Sequence, residues 1–164
     1  MIYSKQSLIN GINKQFFVLK HLHTKVTHEN VTHKFSEPQR DVKELMIYLG
    51  YSLEIQIKNF VNGTWDNATF AGMADLTASF DRKSWDVVLD SALVNITAMI
   101  NGMTDEQCNE SITIFWETAP RFEYITNHVL ITLGAYKMQL FLQLKASGLS
   151  ELNTMNLWGW MDGK

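Results

Sequence analysis

Cysteine is nearly absent from this chain of 164 residues: Cys108 stands alone. One thiol closes no intramolecular disulfide, so a disulfide framework is excluded and a reducing compartment is favoured. Proline is as scarce, at 2 residues, and the 9 glycines follow no period. Collagen-like and Pro-rich architectures are therefore out. No apolar run reaches the roughly 18 residues of a membrane span. The longest candidate, Val129 to Leu144, is broken by Thr132, Lys137, Gln139 and Gln143. The opening Met1-Ile2-Tyr3-Ser4-Lys5-Gln6 lacks the basic segment and apolar run of a signal peptide. Positive charge is not in excess either: the formal net charge is −3, and Lys14, Lys20 and Lys25 form no dense patch. No basic field is present to draw in a nucleic-acid backbone. The expectation is a cytoplasmic protein that engages neither membrane nor nucleic acid.

What the chain does have is hydrophobicity, 46% of residues against 19% charged, which excludes disorder. The length suits one domain, residues 1–164, that buries roughly 70% of its unfolded surface. The apolar residues recur at three and four positions, the stripe of a helix face. Leu8, Ile12, Phe16, Leu19 and Leu22 mark a first helix from about Ser4 to Lys25, with Ser4 as its N-cap. Val42, Leu45, Leu49, Leu53, Ile57 and Phe60 mark a second, about Arg40 to Phe60, closed by Gly63. Trp85, Leu89, Leu93, Ile96 and Ile100 mark a third, about Asp81 to Asn101. The longest runs from about Thr118, its expected N-cap, to Ser147, with Gly148 closing it. A long connection separates the second and third helices. Ser111 to Trp116 alternates like a strand but is too brief for a sheet. Residues 149–164 show no period and are expected to be a non-helical tail. The architecture is all-α, a four-helix bundle.

Ordinary catalytic constellations are missing. His21 and His23 point apart on a helix, His28 and His33 lie in a polar connection, and no H-E-x-x-H or C-x-x-C occurs. Cys108 has acidic neighbours, which disfavour a thiolate. The most informative stretch is Asn127 to Leu140. His128, Thr132 and Tyr136 are spaced by four and share one helix face. The second helix offers Glu44, Tyr48 and Tyr51 inside its own amphipathic pattern. If these faces meet, they build either a polar ligand pocket or a hydrogen-bond network that only specifies packing.

The run Ala135-Tyr136-Lys137-Met138-Gln139-Leu140-Phe141-Leu142-Gln143-Leu144-Lys145-Ala146-Ser147-Gly148, continuing as Glu151-Leu152-Asn153-Thr154-Met155-Asn156-Leu157-Trp158, resembles the DinB/YfiT-like family of four-helix bundles. The resemblance implies up-down-down-up topology and a homodimer. It also implies three metal-binding histidines, one in E-x-x-x-H-L on the second helix and two in H-x-x-x-H-R-G-Q-L on the fourth. Those positions are Tyr48, Thr132 and Tyr136 here. Phenols and a hydroxyl suit zinc or nickel poorly, so no metal and no cofactor are expected. The function expected is small-ligand binding or a dimer-mediated interaction, with Glu44, Tyr48, Tyr51, His128, Thr132 and Tyr136 as pocket candidates. The alternative is a metal-dependent thiol transferase or hydrolase with other ligands around His128, His21 or His23 among them. In the tail, Leu157 and Trp158 are expected to dock on their own bundle, and Trp160 and Met161 to face a partner copy.

Overall fold

The computed structural model describes residues 4–163, apart from the side chains at positions 74 and 77. The four apolar stripes become four long helical stretches. Helix α1 (Lys5–His23) opens on Ser4, whose hydroxyl accepts the Ser7 N–H. The second stretch is α2 (Val42–Ile47) and α3 (Leu53–Val61), joined by a wide i→i+5 turn over Tyr48–Ser52. Asp41 and Glu44 close a capping box at its start. The short α4 (Met73–Ser79) lies in the long connection to α5 (Trp85–Gly102). Helix α6 (Asp105–Asn109) and a hairpin, β1 (Ser111–Ile114) with β2 (Glu117–Pro120), lead into α7 (Arg121–Ala146), and α8 (Thr154–Trp158) follows.

Side-chain partners fix the directions. Lys20 pairs with Asp90, while Lys5 donates to the Met103 carbonyl, so α1 and α5 are antiparallel. Trp85 reaches Met46 and Asn95 reaches Glu54, so α5 runs parallel to α2–α3. Arg121 reaches Val61 and Gln143 reaches Arg40, so α7 opposes α2–α3. The order is up-down-down-up. Helices α1 and α2–α3 each pack on both α5 and α7, and one apolar cluster runs from Leu8 to Leu157.

Three expectations are corrected. The extended piece after Ser111 does form a small sheet: β1 and β2 pair antiparallel with Ile114 opposite Glu117. Ile112 and Ile114 bury against α7, which gives so short a hairpin its support. Thr118 therefore lies in β2, hydrogen-bonded to Thr113 at 2.8 Å, and α7 starts at Arg121 after Pro120. The tail is not free of helix. Asn153 caps α8 by accepting the Met155 N–H, and Asn156 returns a bond to the Asn153 N–H. One turn buries Leu157 and turns Trp158 outward, 59% exposed. Trp158 lies over the Lys137 ammonium of α7 at 4.2 Å, so it still docks on its own bundle. Burial of Leu152 and Leu157 still ties the tail down, each worth roughly 1.5–3 kcal/mol. Trp160 packs against Phe17 of α1 at 6.0 Å between ring centroids.

Two helices meet closely at Gly50. A Cβ there would stand 2.8 Å from the Trp85 indole nitrogen and 3.2 Å from Val88. Trp85 is fully buried and has nowhere to retreat. Gly50→Ala should therefore lower stability by about 1–3 kcal/mol, the cost of overpacking, despite alanine's helix preference of about 1 kcal/mol. Urea unfolding of the two proteins reads the difference, and a stabilised variant would remove this account of the contact.

Candidate functional site

The wide turn at Tyr48–Ser52 faces the middle of α7, and Arg40, two residues before α2, reaches over both. Tyr48 and Tyr136 meet with ring centroids 4.6 Å apart at 54°. The Arg40 guanidinium carbon sits 4.3 Å from the Tyr48 ring centre and 5.7 Å from that of Tyr136. Beneath them Gln56 links the two helices. Its amide nitrogen donates to the Tyr48 oxygen at 3.3 Å and the Ser52 hydroxyl at 3.4 Å, and its carbonyl accepts from Thr132 at 3.4 Å. Burial pushes the Tyr48 phenol above its ordinary pKa; neighbouring Tyr136 adds to the shift, while Ser52 and Arg40 oppose it. Tyr48 is thus a neutral phenol beneath a guanidinium.

The three positions at which the resembled family carries histidines do come together here, as Tyr48, Thr132 and Tyr136. Their chemistry does not fit a divalent metal. The phenol most buried among them holds its proton, threonine is a weak donor, and Arg40 already places a positive charge on the rings. Among the described residues, no group of three or more His, Cys, Asp and Glu side chains could hold a metal ion.

The other candidates separate. His128 stacks on Tyr124 at 4.1 Å, lies near Phe60 at 5.4 Å, and donates from Nε2 to Glu117 at 3.2 Å. His23 pairs with Asp86 at 2.8 Å, and His21 accepts from the Asn156 amide at 3.0 Å, both at the C-terminal end of α1. Neither is brought to His128, which lies toward the hairpin end of the bundle. Tyr51 faces α5 and lines a separate, smaller pocket of about 200 Å³ with Gly50 and Val88. Glu44 caps α2 through the Asp41 N–H at 2.9 Å and also lines a larger groove. That open groove, about 840 Å³, lies between residues 35–44 and residues 135–142 of α7, with Arg40, Glu44, Tyr136 and Gln139 on its walls.

Two contributors escaped the sequence reading. Gln56 continues the spacing of four through Tyr48 and Ser52, a signal that was available. Arg40 precedes the helix and carries no periodic signal at all.

Among solved structures the chain matches the crystal structure of a DinB-like protein, YjoA, from Bacillus subtilis. The TM-score is 0.64 at 15% identity, over 89% of this chain and 95% of that one. No protein-family model and no curated protein matches the sequence. The fold is therefore DinB-like, and the likeness read from the sequence has a counterpart in three dimensions.

Tyrosine in an unfolded chain titrates near pH 10. With the Tyr48 pKa raised in the folded state, its stabilising contribution is complete below about pH 10 and is lost as pH rises through the folded value. Tyr124 is raised too, by burial and then Glu117. In a tyrosinate absorbance titration, Tyr48→Phe should shrink the latest-titrating fraction without abolishing it. Its stability should also fall less steeply than that of the parent above about pH 10. An unchanged late fraction would show that Tyr48 ionises with the exposed tyrosines.

Proposed function

We propose that this chain is a one-domain DinB-like bundle that binds a small ligand in the groove beside Tyr48 and Tyr136 and works without a metal centre. One observation supports this above the others: Arg40 lies on the aromatic pair at the positions where the resembled family places ligating histidines. The chain supplies its own cation there, and a divalent ion would be repelled by it. The groove's volume of about 840 Å³ lies within the roughly 300–1,000 Å³ of small-molecule sites. Glu44 and Tyr136 contact the ligand directly. Tyr48 and Thr132 act from beneath through Gln56, and His128 and Tyr51 take no part. Ligand-observed NMR with a fragment library should give binders that Ala135→Phe, which puts a ring into the groove, displaces. Binders indifferent to that substitution would place the site elsewhere.

A cytoplasmic homodimer is part of the same proposal, on a second observation. The outer face of α7 also exposes Leu130, Ile131 and Gly134, outside the groove's walls and with no charge among them. Such a stripe suits a self-complementary two-fold contact, and the buried Cys108 fits a reducing compartment. Native mass spectrometry of protein purified without chelator should give twice the 18.9 kDa chain mass and no metal adduct. A metal ion per chain would overturn the metal-free reading, and a monomer at micromolar concentration the dimer.

A further inference from the structure

The groove over Tyr136 holds a cation that the fold leaves unanswered. Among the described residues Arg40 makes no ion pair, and the acids near it in sequence are committed. Asp41 and Glu44 serve the capping box of α2, and Glu37 pairs with Lys34. The guanidinium touches aromatic rings, and contact through a ring face spends none of its N–H donors. Gln139, on the opposite wall, also has no side-chain hydrogen bond among the described residues. The remaining wall is apolar and accessible: Phe35, Met138 and Leu142 are each exposed by more than a third.

We infer that the groove takes an amphipathic organic monoanion, a carboxylate carrying a hydrocarbon or aromatic tail. The inference rests on the groove being the ligand site, as proposed above. The carboxylate meets the guanidinium fork, whose planar donors match it two to two. Gln139 supplies a further donor, and the tail covers Phe35, Met138 and Leu142. Glu44 sets the charge limit. One of its oxygens accepts the Asp41 N–H, and its negative charge on the wall disfavours a dianion such as a phosphate monoester. A guanidinium is a permanent cation in proteins, so the site is set for an anion.

Isothermal titration with four ten-carbon probes tests this: decanoate, decyl phosphate, decanol and decyltrimethylammonium, each below its micelle concentration. Decanoate should bind about tenfold more tightly than decanol, the increment of one charge-assisted hydrogen bond at a partly exposed site. Arg40→Gln should erase that margin, and Arg40→Lys should restore part of it. Thermal melts of both variants serve as the folding control, since Arg40 is exposed. Equal binding of decanoate and decanol, tighter binding of the ammonium, or indifference to Arg40→Gln would overturn the anion assignment while leaving a groove that binds apolar tails. Decyl phosphate binding as tightly as decanoate would overturn the monoanion preference. If none of the probes bound, or if decanoate bound Ala135→Phe as well as the parent, the groove itself would be excluded as their site.

Discussion

Trp85 sets the rotation of the second helical stretch, and the polar face depends on that rotation. Its side chain is fully buried and donates its indole N–H to the Met46 carbonyl at 2.9 Å. The ring lies so close to Gly50 that no Cβ fits. Around this contact the helix takes an i→i+5 turn at Tyr48–Ser52, a form that recurs at functional sites. The wider turn fits more residues into each revolution, so positions three apart no longer share a face. Tyr48 consequently points to α7 while Tyr51 points to α5. One close contact in the core thus decides which tyrosine joins the polar cluster.

The far side of α7 shows the same economy with a buried charge. Lys137 is only 1% exposed and forms no ion pair among the described residues. Its ammonium donates to Gln15 at 2.6 Å and faces the Trp158 ring, and burial pulls its pKa down. A lone buried ammonium is costly unless its donors are used. Here α1 provides an amide oxygen and the tail an aromatic face, so the tail does more than cover apolar surface. Asp162 adds a surface clasp to Lys25 at 2.6 Å, and its carboxyl is held below the ordinary range chiefly by that lysine. The tail was legible as apolar excess but not as helix, because Asn153 and Asn156 cap it in place of the usual Ser/Thr and Glu/Gln.

The four long helices could be read directly, since Leu8 to Leu22 and its counterparts bury the faces their spacing defines. The stops at Gly63 and Gly148 could be read too, and both adopt positive φ, +69° and +115°. The hairpin could not. Its two-residue turn puts Phe115 at φ +58°, where glycine or asparagine is the usual signal. The strands therefore looked unpaired, and Thr118 looked like a helix cap. At the site, the periodicity brought Tyr48, Thr132 and Tyr136 together correctly, because each lies on a helix that the core orients. It failed for Tyr51, where the helix leaves its 3.6-residue period, and for Arg40, which reaches the cluster from a connection.

Arg40 also completes a cluster of two phenols, a threonine and a glutamine: Tyr48, Tyr136, Thr132 and Gln56. Their donors and acceptors close among themselves through Gln56, which leaves the ring faces to the guanidinium. A guanidinium is well suited to those faces: planar, weakly hydrated and permanently charged. Laid on Tyr48 it sets a positive centre that cannot coordinate, exchange ligands or activate water as a metal does. What it can do is hold an anion through its free edge. A guanidinium edge that opens on the groove is suited to recognising an anion rather than to Lewis-acid catalysis.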